Sequence, residues 1–231
     1  AHNENEVTRL SNDVFTMDKI LLGDVFIRGG SSSGTHVLEE GRPIGQFYGL
    51  VCNGIDENGR YIMVDKDGDG EISDPADYDY IGSAQPKLTY GITNTFRYKN
   101  FDLSFFLRGT IGNDILNATR MAYAQSGFLP GTNALDDPLT YTLSETPRFS
   151  NYYLEKGSFM RLDNLTLGYK IKALNGIRVY FTAQNLFVIT KYKGLDPEVP
   201  MDSGDGLTPG VEPREFYPKA RTFSVGLNLN F

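Results

Sequence analysis

The stretch DKDGDGEISDPAD, residues 65–77, concentrates more ligand chemistry than any other part of this sequence. Asp65, Asp67 and Asp69 take positions one, three and five of an EF-hand-like loop, with Gly70 at the sharp turn and Ile72 as apolar anchor. Such spacing converges hard oxygen ligands on a calcium ion. The second half departs from that pattern. Position twelve is Ala76, and the next carboxylate, Asp77, reaches the site only through a one-residue bulge. The candidate metal set is Asp65, Asp67, Asp69, Glu71 through its carbonyl, and Asp77, with Ca2+ as the expected ion and loop ordering as its expected effect. Nothing else in the sequence calls for a cofactor. The competing reading is a solvated acidic loop whose glycines only make turns.

Aromatic loop residues form the second candidate group. Tyr123, Phe128, Tyr152, Tyr153 and Tyr192 offer rings that stack on sugars or peptide groups, or simply pack. Enzymatic chemistry finds little support: G-x-S-x-G, H-E-x-x-H and P-loop patterns are missing, and His2 and His36 lack an evident partner, so no catalytic activity is expected. A single cysteine, Cys52, excludes an intrachain disulfide and reads as a small buried hydrophobe. The balance of 22 Lys+Arg against 29 Asp+Glu, net −7, comes without basic clusters and argues against nucleic acid as a partner.

The elements that must position these residues are strands. No apolar run approaches the roughly 18 residues of a membrane helix, whereas period-two alternation is strong in the second half. LTYGITNTFRY sets Leu88, Tyr90, Ile92, Phe96 and Tyr98 on one face; after Lys99 and Asn100, FDLSFFLRGTI returns with Phe101, Leu103, Phe105, Leu107 and Ile111 on the same side. Asn175 and Gly176 predict a tight turn joining LTLGYKI to GIRVYFTAQNLFVI. Leu162 breaks the parity of Leu165, Leu167 and Tyr169, which predicts either a bulge near Asp163 and Asn164 or a segment there that still belongs to the loop. The closing RTFSVGLNLNF alternates Phe223, Val225, Leu227, Leu229 and Phe231 against Thr222, Ser224, Gly226, Asn228 and Asn230.

These segments are long for soluble sheets and match a tilted strand crossing a bilayer. Tight turns at 99–100 and 174–176 alternate with polar excursions at 56–87, 112–157 and 193–219. The predicted fold class is therefore all-β: an antiparallel transmembrane β-barrel. A soluble antiparallel sandwich is the alternative. Residues 1–42 read as an irregular connecting segment, and 43–231 as strands and external loops.

Beyond periodicity, EGRPIGQFYGLVCNGI, the acidic loop running on into LTYGITNTFRYKNFDLSFFLRG, GSFMRLDNLTLGY, AQNLFVITKYKGLDPE and RTFSVGLNLNF occur in order. Together they resemble the C-terminal portion of a SusC/RagA-type TonB-dependent outer-membrane transporter. The resemblance implies the last strands of a large plugged barrel in the outer membrane of Bacteroidetes-type bacteria, importing oligosaccharides or peptides. It further implies a SusD-like surface lipoprotein as lid, the TonB system acting through a plug that these residues do not contain, remaining barrel strands supplied elsewhere, and outer-membrane lipid around the wall. Phe231 would then also serve barrel assembly. Orientation follows by counting back from Phe231, which puts the long loops outside, the tight turns in the periplasm and 1–42 on the periplasmic side. Arg97, Arg108, Arg178 and Gln184 would face the lumen. Two alternatives differ in class: a soluble or surface-attached calcium-binding module for adhesion or glycan recognition, and a secreted hydrolase.

Overall fold

A computed structural model describes residues 1–27, 30–127, 129–172, 177–199, 206–214 and 217–229. In chain order the strands are β1 (Lys19–Ile27), β2 (Gly30–Glu39), β3 (Gln46–Leu50), β4 (Cys52–Ile55), β5 (Tyr61–Met63), β6 (Tyr78–Ser83), β7 (Leu88–Tyr98) and β8 (Phe101–Ile111), then β9 (Asp114–Leu116), β10 (Leu154–Lys156), β11 (Phe159–Ile171), β12 (Ile177–Thr190) and β13 (Thr222–Asn228). Short helices α1 (Ala118–Tyr123) and α2 (Pro138–Thr142) lie between β9 and β10. None of the described helices is long and apolar enough to cross a membrane, which says nothing about strands.

The long strands form one antiparallel sheet in the order β13-β12-β11-β8-β7. Its register follows from the alternation. Phe96, Leu103, Leu167, Phe181 and Val225 stand opposite one another across the five strands, and the row behind them reads Thr95, Ser104, Thr166, Thr182 and Ser224. One face is thus apolar and the other lined by hydroxyls. Lys99 adopts φ 54°, the left-handed value that a two-residue hairpin turn favours, with Tyr98 opposite Phe101. The predicted bulge is present: both ladders of β11 shift between Leu162 and Asn164, Asp163 being the extra residue against β8 while Asn185 and Leu186 of β12 oppose it on the other side, and Leu162 rejoins Leu107 and Phe187 on the apolar face. The Asn175–Gly176 turn and Phe231 lie outside the described residues.

No protein layer covers the apolar face among the described residues. Phe96 is 53%, Phe223 57%, Leu227 63% and Val225 75% exposed. A soluble sandwich would bury this band against a second sheet, and a continuous patch of this extent marks contact with lipid or another protein. At about 3.3 Å per residue, an 11-residue strand such as β7 or β8 spans roughly 35 Å and, tilted, crosses an apolar layer about 25 Å tall. On the inner face, glycines let long side chains lie flat. A Cβ on Gly226 would fall 2.3 Å from the Tyr180 ring, and one on Gly168 only 2.5 Å from the Arg178 guanidinium.

The remaining elements build a second unit with a core of its own, in which Phe47, Leu116, Met121, Leu139, Phe149 and Tyr153 are buried together. Its main sheet has the order β1-β2-β3-β6. This corrects the reading of 1–42 as irregular, because residues 19–39 form a hairpin. The sequence conceals it: Gly23, at φ 73°, shifts the register between Leu22 and Asp24, and RGGSSSGT reads as a turn although most of it continues β2. Placement is corrected as well. His36 of β2 bonds the Pro209 carbonyl at 2.9 Å, and Leu116 donates to Gly210 at 2.8 Å. The hairpin therefore sits with the long loops, at the end of the five-stranded sheet opposite the Lys99–Asn100 turn. By the same token β3 joins the loop unit and does not continue the long-stranded sheet.

Candidate functional site

Three of the five predicted metal ligands converge. One carboxylate oxygen from each of Asp65, Asp67 and Asp77 lies within 4.8 Å of the others. Asp69 and Glu71 stay outside this cluster and are exposed. Asp65 accepts from the Gly68 and Gly70 amides at 2.6 and 2.9 Å, which curls the loop around its carboxylate. Asp77 closes the ring from the far side, buried to 1% exposure, accepting from Lys66 at 2.6 Å and Ser73 at 2.8 Å. The Ser73 and Lys66 amides, with Arg148 nearby, hold the Asp77 carboxyl below the usual aspartate range despite the opposing effect of desolvation. Asp74 is spoken for by Arg148 at 2.7 Å. Hard oxygens that converge in this way fit a calcium ion.

The aromatic candidates have mainly packing roles. Tyr153 is fully buried and shares a 2.6 Å hydroxyl contact with Tyr61, while Tyr152 packs edge-on against both rings. Burial pushes the Tyr61 phenol up to about 12 and raises that of Tyr153. Tyr192 is buried beside Ile115 and Val199. Tyr123 is half-buried on α1, and Phe128 lies outside the described residues. Cys52 is buried, as its sequence context predicts, and burial raises its thiol pKa.

Ion pairs organise the inner wall. Arg178 makes a bidentate bridge to Asp102, at 2.9 Å from Nε and 2.6 Å from Nη2. At the bulge, Arg108 of β8 and Arg161 of β11 are direct cross-strand neighbours. Two like charges so placed repel, and three carboxylates offset them. Arg108 binds Glu198 through both amino groups and Asp163 at 3.1 Å; Arg161, only 1% exposed, binds Asp196 and the Asn185 side-chain oxygen Oδ1. Lys219 adds a third cation on Glu198. Burial pushes the Glu198 carboxyl up, but hydrogen bonds from Arg108 and Lys219 outweigh it, and the net position is below the ordinary glutamate value. Of the predicted inner-face residues, Arg108 and Arg178 are engaged in this way, whereas Arg97 and Gln184 are exposed.

Comparison with known proteins decides the family. The chain is 35% identical to the TonB-dependent receptor SusC of Bacteroides thetaiotaomicron over 99% of its own length and 23% of that protein. It is 34% identical to the TonB-dependent receptor P3 of Formosa agariphila, covering 85% of this chain and 23% of the relative. Among solved structures, the RagAB peptide transporter superposes with a TM-score of 0.73 at 25% identity, over 98% of this chain and 26% of the other. No family profile matches the chain. The chain belongs to the SusC/RagA-type TonB-dependent receptors.

It spans about a quarter of the length of these relatives. As part of such a receptor, the five-stranded sheet is a section of a transmembrane β-barrel, with its apolar band toward lipid and its hydroxyl rows toward the lumen. Sequence reasoning missed Arg161, Asn185, Asp196, Glu198 and Lys219. The alternation does place Arg161 on the inner parity. Nothing local, however, says that residues 196 and 198 fold back onto it.

Proposed function

We propose that this chain forms a section of the lumen wall and the outer loops of an outer-membrane importer that takes up oligosaccharides or peptides, energised through TonB and covered by a SusD-like lipoprotein. The observation that carries this reading is the uncovered apolar band backed by a polar inner face, on a chain related to SusC and similar in structure to a peptide transporter. On this reading the chain conducts a captured ligand without changing it covalently. The hydrolase alternative finds no supporting observation. Deleting the gene for the full-length polypeptide is expected to abolish growth on one class of oligosaccharide or peptide at limiting concentration, and affinity purification of the receptor is expected to recover a lipoprotein. Growth unchanged on every such substrate would sink the proposal.

Within this machine we assign Asp65, Asp67 and Asp77 as the carboxylates that hold a calcium ion, with Asp69 and the Glu71 carbonyl free to complete the shell. The ion would order the outer loop. Calcium is expected to slow hydrogen exchange across residues 65–77 of the full-length receptor, and a chelator to reverse the effect. The sign with pH is fixed by Asp77. Its folded pKa is depressed, so its contribution is complete above about pH 4 and is lost as pH falls through the lower folded value. Asp77→Asn is expected to remove both the calcium response and this acid sensitivity. A calcium response that survives in Asp77→Asn would overturn the assignment.

A further inference from the structure

The ion-pair cluster at the bulge has a consequence for the lumen. Arg108 and Arg161 point inward, on the parity of Thr110 and Phe159 and opposite to that of Leu107 and Leu162. Their partners Asp196 and Glu198 come from the segment that follows β12 and leaves the wall. For these carboxylates to reach inward-facing arginines, that segment must turn back into the barrel. We propose that residues 194–199 form an inward-folded constriction loop, latched to the inner wall by charge and able to swing away from it.

Three observations support a latch over a packed, immobile loop. First, the charges balance only when the loop is docked. Arg108, Arg161 and Lys219 face Asp163, Asp196 and Glu198, and two of those three acids belong to the loop. Undocking would leave two neighbouring arginines with Asp163 alone. Second, Glu198 is a hub. It meets Arg108 of β8 and Lys219 ahead of β13, and lies 3.7 Å from Arg161 Nε of β11, an atom with no hydrogen-bond partner. One side chain thus holds the loop to several parts of the wall. Third, a cavity of about 310 Å³ lies where the loop meets the strands, lined by Pro197, Glu198 and Val199 together with Thr89, Arg108 and Phe159. Val199 packs with Ile115 and Tyr192, Pro197 is also buried, and the Leu195 amide donates to Glu212 at 3.1 Å. Three ion pairs, Arg108–Glu198, Arg161–Asp196 and Lys219–Glu198, join the loop to the wall, and the cavity leaves open space beside them.

The inference uses the import reading only in treating the inner face as a conduit. Its test reports loop position whether or not the receptor imports anything. In the full-length receptor carrying Cys52→Ala, a cysteine placed by Pro197→Cys would be labelled from outside with a maleimide too bulky for the cavity. Adding Glu198→Gln is expected to raise the labelling rate about tenfold. Adding Asp102→Asn, which breaks the separate Arg178–Asp102 pair of the inner wall, is expected to leave the rate unchanged. Where the Gln variant fails to assemble, Glu198→Asp, which shortens the reach of the hub, is expected to raise the rate in the same direction. Equal labelling with and without the Glu198 changes would overturn the latch. A rise of the same size in Asp102→Asn would overturn it too, because the wall would then be loosening as a whole.

Discussion

Arg161→Met is expected to destabilise the barrel by about 3–5 kcal/mol, the range found when one partner of a buried ion pair is removed. Arg161 is 1% exposed and Asp196 4%, so the substitution strands a carboxylate away from water and takes the Arg161 donor from Asn185 Oδ1. The companion Arg161→Met/Asp196→Leu, which removes both charges, is expected to recover most of that loss. Asp102→Asn provides the scale: its pair with Arg178 is more exposed and is expected to cost about 1 kcal/mol or less. Urea unfolding of the full-length receptor in lipid vesicles checks all three. A loss under about 1 kcal/mol for Arg161→Met would show that the buried cluster contributes nothing to the fold.

The second large effect lies on the other face. Leu165 stands opposite Phe105 and Ala183, near the middle of the apolar band. Leu165→Arg is expected to cost about 2–4 kcal/mol, the penalty for a cation near the bilayer midplane on the outside of a barrel. Its neighbour Thr166 points inward, between Ser104 and Thr182, and Thr166→Arg is expected to change stability by less than about 1 kcal/mol, since a lumen side chain keeps its water. The contrast between adjacent residues is the informative quantity. Equal penalties at both positions would mean that both faces are packed against protein, and the lipid assignment would fall.

Much of the barrel section was legible because strand alternation is a local property. Each side chain's face is set by its parity, so the apolar rows, the Lys99–Asn100 turn and the bulge at Asp163 could be read without knowing any partner strand. The loop unit was not legible in this way. Gly23 interrupts the alternation of β1 and serine and glycine dominate β2, so the hairpin at 19–39 carries no periodic signal; long-range contacts with β3 and with Pro209 stabilise it instead. The acidic loop falls between these cases. Aspartate spacing exposed its chemistry, but which acids meet depended on backbone path, and Asp77 enters while Asp69 does not.

Composition and order along the chain by themselves determined the barrel architecture, the direction in which each strand face points, and the residue types able to hold calcium. Only the tertiary structure decided that Asp196 and Glu198 return to Arg161 and Arg108, and that β1 and β2 sit with the long loops. The division is physical. Facing and alternation follow from neighbouring dihedral angles, whereas the pairing of charges 35 and 90 residues apart depends on how the loops close, and loop closure leaves no periodic trace in the sequence.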